Sequence, residues 1–154
     1  MSSSSVWFRT AYGHLRSARA NVQIGEYDTA YREALSSGEI ALKAVLVKAG
    51  CYVDKPKSAG GDRHHESPTL AEKIRSHGII PQPLADDIVD LAYQLDRVDL
   101  TSPTGDYANC AMGQVGDLRY SYGASTPFEL TTLHDANQKI GISDELLRKL
   151  APFT

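Results

Sequence analysis

The chain has 154 residues, 42% of them hydrophobic and 23% charged, with a net charge of −3. That length is one domain, 1–154, with room for a core that needs neither disulfides nor a metal, and the composition is that of an ordinary globular protein. No apolar run approaches the ~20 residues that cross a bilayer, which excludes a membrane-spanning role.

The opening MSSSSVWFR lacks a basic stretch followed by an apolar one, so it is not a secretory signal, and residues 1–5 read as a disordered tip. Cys51 and Cys110 fit free, buried thiols in a reducing cytoplasm better than a disulfide framework. The charge is uneven: residues 1–80 carry 11 Lys and Arg against 8 Asp and Glu, and residues 81–154 carry 5 against 11. A bundle with one basic and one acidic flank can bind an anion on one side and a basic partner on the other.

The first helix is predicted from Val6 to Ile24, with Phe8, Ala11, Leu15, Ala18 and Val22 stepping by three and four along one face. Gly25-Glu26 is a short turn, which makes the next helix its antiparallel neighbour. That helix, Tyr27 to Gly50, has a wide face of small and apolar residues including Ala30, Ala34, Gly38, Ala41 and Val45, so others can pack around it. Residues 51–67, CYVDKPKSAGGDRHHES, break the pattern with Pro56, Gly60 and Gly61 and form a long loop. Ser67-Pro68 opens a short helix carrying Leu70, Ile74 and His77 inward and ending at Gly78.

After the joint IIPQP a helix runs from Pro83 to about Asp96, with Leu84, Ile88, Leu91 and Leu95 inside. A loop over 97–105 leads to a helix from Asp106 to about Tyr122, weakened by Gly113 and Gly116. Thr126-Pro127-Phe128-Glu129 has the form of a capping box, and the face Leu130, Leu133, Asn137, Ile140 stops at Gly141. Ser143 then caps a last short helix holding Leu146, Leu147 and Leu150. No strand pattern and no internal repeat emerge, so the fold class is an all-α bundle.

There is no P-loop, dinucleotide fingerprint, HExxH or paired-Cys zinc spacing, so no cofactor is expected. Asp62, His64, His65 and Glu66 are metal-ligand types, but neighbours in one loop cannot all face one ion. The fragment Asp117-Leu118-Arg119-Tyr120-Ser121-Tyr122-Gly123 sets a guanidinium and two phenols near a helix end. Arg offers a planar fork that matches phosphate and Tyr a stacking face for a base; the alternative is an Arg paired with a nearby acid and tyrosines on the core rim. Glu39 and Lys43, four apart with Glu first, form either an intrahelical ion pair or, through Lys43, a phosphate contact. Arg9 and His14 share the first helix but not one face of it, and carry no site.

The series RSARANVQIGEYDTAYREALSSGEIALKAVLVKAG resembles the opening of the HEPN family (higher eukaryotes and prokaryotes nucleotide-binding domain), through Gly25, Tyr27, Tyr31, Glu39, Lys43 and Gly50. The later Arg119-Tyr120 pair and the helix LTTLHDANQKIG follow in the expected order, so the resemblance spans about residues 8–141. It implies an up-and-down bundle of four or five helices that dimerises. Active members are metal-independent RNases whose Arg and His, four to six residues apart, meet across a dimer cleft; others partner minimal nucleotidyltransferases as toxin or accessory subunit. Arg119 matches the family Arg, but the window for the His, Ala124 to Thr126, has none.

The chain is therefore expected to be a cytoplasmic, homodimeric, non-catalytic HEPN-like bundle that binds a nucleotide, RNA or a partner protein through Arg119, Tyr120, Tyr122 and Lys43. One alternative is an RNase that recruits His134 or His65 in place of the missing His. The other is a subunit of a two-protein module with a nucleotidyltransferase or an antitoxin.

Overall fold

A computed structural model describes residues 3–63, 65–97 and 131–154. Its α-helices are α1 (Ser3–Gln23), α2 (Tyr27–Lys48), α3 (Ser67–Ser76), α4 (Gln82–Asp96) and α5 (Leu133–Leu150). Short 3-10 turns occupy Lys57–Ala59 and Ala151–Phe153. Among the described residues there is no strand, so the all-α bundle expected from the sequence is what forms.

The helix pair α1–α2 is the foundation. Gly25, at φ 79°, turns the chain between them. Ser37 Oγ donates to the Ala11 carbonyl at 2.7 Å, and His14 Nδ1 lies 2.6 Å from Glu33 Oε2, so the two helices run antiparallel. The stripe Ala11, Leu15, Ala18 is fully buried, as its spacing predicts. Helix α1 begins at Ser3, inside the serine run expected to be a disordered tip, and Ser4 is buried.

On α2 the six residues Ala41 to Leu46 are all buried, which happens only when a helix is covered on every side. Gly38 marks a close approach: a Cβ there would overlap Leu95 of α4 and touch Leu146 of α5. A small residue at that step lets three helices share one core.

The long loop is built rather than slack. Asp62 Oδ2 accepts from the Val53 N–H at 2.7 Å and from Lys73 Nζ at 2.6 Å, and Asp62 N–H donates to the Val53 carbonyl at 2.8 Å. Pro56 and Arg63 form an isolated β-bridge, and Gly61 packs so closely on the Lys55 carbonyl that any side chain there would overlap it. Ser67, Leu70, Ala71 and Ile74 bury the inner face of α3. His77, expected on that face, is exposed at the helix end, where its Nδ1 donates to the Lys73 carbonyl at 2.9 Å.

The last helix departs from expectation. In place of two short helices divided at Gly141, one helix runs from Leu133 to Leu150, with Gly141 and Ser143 inside it. Its start is a capping box on Thr132: the Asp135 N–H donates to Thr132 Oγ1 at 3.2 Å, and the Thr132 N–H donates to Asp135 Oδ2 at 2.9 Å. Ala136, Ile140, Ser143, Leu147 and Leu150 make an unbroken buried seam across Gly141. That seam outweighs the roughly 1 kcal/mol that a helical Gly costs. Leu133 and Asn137, expected inside, lie on the exposed face.

The predicted helix from Asp106 to Tyr122, the Thr126 cap and Cys110 lie outside the described residues. Cys51 is a free thiol, half-buried rather than buried.

Candidate functional site

Of the residues expected to bind a nucleotide or RNA, Arg119, Tyr120 and Tyr122 lie outside the described residues. Lys43 is present and only 8% exposed. Its ammonium sits 2.7 Å from Glu39 Oε1, one helical turn back, as the Glu-first spacing predicts. The pair lies on α2 where that helix meets the end of α4, since the Glu39 charge is felt at Asp96.

The histidines fall into different settings. His14 is tied to Glu33 and His77 to its own helix end. His65 is half-buried, and its Nδ1 has no hydrogen-bond partner among the described residues. His134 is exposed on the first turn of α5. His64 lies outside the described residues, and among those described no three His, Cys, Asp or Glu side chains are placed to share a metal ion. Asp62, one of the metal-ligand types in the loop, is spent on Val53 and Lys73.

Between the start of α3 and the last turns of α4 lies a recess of about 700 Å³, lined by Glu66, Thr69, Asp90, Tyr93, Asp96 and Arg97 among others. Burial pushes the Asp96 carboxyl up to about 6, and the Glu66 and Glu39 charges add to that while Lys139 opposes it. Asp96 is also the last residue of α4, where the negative end of the helix dipole disfavours a second negative charge. Three carboxylates make this recess hostile to phosphate. Sequence spacing gives no hint of it, because Glu66 and Asp96 come from separate elements thirty positions apart.

The opposite charge gathers on the loop. Asp62 titrates lower than an ordinary carboxyl: burial acts to raise it, but the hydrogen bonds from Lys73 and Val53 and the charges of Lys73 and His65 outweigh that. Arg63 pairs with the exposed Asp54 at 3.0 Å. Lys55 and Lys57 are exposed and have no carboxylate within ion-pair distance among the described residues. No described helix is long and apolar enough to cross a membrane.

No protein-family model matches the chain, and no curated protein matches it. Solved structures do. An archaeal HEPN homologue superposes with a TM-score of 0.63 at 19% identity, over 99% of this chain and 98% of its own. A HEPN domain protein from Thermotoga maritima gives 0.55 at 18% identity, over 95% and 94%. At that identity the likeness speaks for architecture alone, and it does so from end to end: this chain has a HEPN-like fold.

Proposed function

We propose that the chain is a non-catalytic HEPN-like bundle that binds a nucleotide or RNA and works as a homodimer. The observation that carries this reading is a pairing of presence with absence. Two HEPN structures match nearly the whole chain, yet the stretch after Arg119-Tyr120 where the family resemblance calls for a histidine, Ala124 to Thr126, contains none. Arg119 supplies a fork for phosphate, and Tyr120 and Tyr122 supply stacking faces. Lys43 is already paired with Glu39 on α2, so it would reach a phosphate only in exchange for that carboxylate. Without an imidazole poised near neutral pH, binding has no efficient proton shuttle to follow it. The test is titration of fluorescently labelled nucleotides and RNA with the wild type and with Arg119→Ala. Loss of binding in the variant supports the reading; equal binding removes Arg119 from the site. Light scattering gives the oligomeric state, and a monomer at working concentration refutes the homodimer.

A second reading has one observation in its favour, the buried Nδ1 of His65, which has no hydrogen-bond partner among the described residues. An RNase recruiting His65 or His134 would cleave RNA in EDTA and lose that activity in His65→Ala or His134→Ala. Intact RNA at high protein concentration eliminates it.

A further inference from the structure

The loop that the sequence marks only as irregular carries exposed positive charge that has no ion-pair partner among the described residues. From Lys48 to Arg63 it holds four bases and two acids. Both acids are answered: Asp62 by Lys73 at 2.6 Å, which brings a fifth base from α3, and Asp54 by Arg63 at 3.0 Å. What remains is Lys48, exposed on the last turn of α2, and the exposed pair Lys55 and Lys57. Lys48 has a ready explanation, since a cation suits a helix C-terminus. Lys55 and Lys57 have none in the fold. Pro56 between them keeps their Cα atoms within about 7 Å of each other.

An aromatic pair stands at the root of the same loop, where Tyr52 comes three residues before Lys55. Tyr52 packs against Trp7 of α1 with ring centroids 5.2 Å apart and planes tilted by 59°. Both rings are half-buried, and beside them Val53 and Val6 stay exposed at 38% and 50%. The platform is held in place: Asp62 clamps the Val53 N–H, the Arg63 N–H donates to the Lys55 carbonyl at 3.1 Å, and the Gly61 N–H donates to the Pro56 carbonyl at 3.0 Å. A rigid backbone that carries exposed ammonium groups a few residues from half-exposed rings, with the nearby Asp54 and Asp62 each paired to a base, is an arrangement that can grip a single-stranded nucleic acid. The ammoniums track the phosphates and the rings accept a base. An acidic polypeptide would use the lysines but leave the rings idle.

We infer that the 48–63 loop and the Trp7–Tyr52 pair form a single-stranded RNA contact surface, with Lys55 and Lys57 on phosphates and the aromatic pair against a base. This rests on the proposed function and gives it a second surface, far from Arg119 in sequence.

Trp7 is the sole tryptophan of the chain, so its emission reports on this surface directly. The experiment titrates the full chain with a labelled oligouridylate of about 15 nucleotides, a length within the range that single-stranded RNA sites cover. Anisotropy and Trp7 fluorescence are read over a range of salt, with polyglutamate as competitor. Three variants accompany the wild type: K55E/K57E, Arg119→Ala, and R148E/K149E, which makes the same charge change on exposed or half-buried positions of α5. Expected are Trp7 quenching by RNA, about tenfold weaker binding by K55E/K57E, and a salt slope smaller by about 1.4, the value for two lost phosphate contacts on a single strand. R148E/K149E should bind as the wild type does, and polyglutamate should neither quench Trp7 nor compete at equal charge.

Equal weakening by R148E/K149E, unchanged Trp7 emission at saturation, or full competition by polyglutamate would each overturn the inference. If K55E/K57E binds normally while Arg119→Ala does not, the proposed function stands and this surface falls. If the wild type binds no RNA, this surface falls whatever becomes of nucleotide binding.

Discussion

The ammonium of Lys139 lies 2.7 Å from the carbonyl oxygen of Arg97. The same nitrogen donates at 2.7 Å to the Gln94 carbonyl, so a lysine of α5 closes the end of α4. The last carbonyls of a helix have no partner within it, and a cation there also meets the negative end of the dipole. Lys139 is 1% exposed, and its ammonium stands 5.6 Å from the centroid of the Tyr31 ring. Replacing it with Met keeps the stem and deletes the donors. Lys139→Met is predicted to destabilise the fold by about 2–4 kcal/mol, the cost of orphaning buried acceptors of a charged donor. Urea denaturation measures it; an unshifted midpoint would mean that the two carbonyls find other donors.

Asp96 gives the fold a pH dependence of opposite sign to the usual carboxylate. Its folded pKa of about 6 stands above the ordinary 3.8, because burial and the charges of Glu66 and Glu39 disfavour ionisation. Between those two values the folded chain holds a proton that the unfolded chain has released. Stability contributed by Asp96 is therefore present at low pH and lost as pH rises through about 6. A shift of that size corresponds to about 3 kcal/mol at most, and solvent screening of a half-buried group reduces it to roughly 1 kcal/mol. Asp96→Asn should stabilise the protein by about 1 kcal/mol at about pH 7 and change little at about pH 4. Urea midpoints at the two pH values decide it, and equal gains at both would remove Asp96 as the cause.

Much of the fold is legible in the chain because its local signals agree. The stripe Ala11, Leu15, Ala18 and the small face of α2 predict what is buried, and Gly25 predicts the turn between them. The ending of the chain misleads for a physical reason: Gly141 reads as a stop and Ser143 as a cap, both being residues common at helix ends. The better signal was the step of four, three, four and three from Ala136 to Leu150, which runs straight through the glycine. Lys139 also sits on that buried side, a placement that asks what its charge meets. Of the candidate site, the Glu39–Lys43 pair was readable from spacing alone. The recess at α3 and α4 was not, because only tertiary packing brings Glu66, Glu39 and Asp96 near one another.

Two helical glycines should respond to alanine in opposite directions. Gly38 sits where a methyl would overlap the Leu95 side chain, so Gly38→Ala forces α4 to give way and should cost about 1–3 kcal/mol. Gly141 is exposed on α5 with nothing within 4 Å of a built Cβ. There Gly141→Ala removes only backbone freedom and should gain about 0.5–1 kcal/mol. Thermal denaturation of the two variants checks the pair, and a stabilised Gly38→Ala would contradict the packing at that crossing.

The tethering of the 53–63 segment also governs how the chain meets a protease. Trypsin cuts after lysine and arginine, and Lys57 and Arg63 offer both on the outside of the molecule. Cleavage, however, requires a length of backbone to come loose, and here the strand of chain is sewn to itself at Val53, Lys55 and Pro56. Digestion at these positions is thus limited by how often these backbone bonds and the Asp62 clamp open together, and not by how far the side chains protrude.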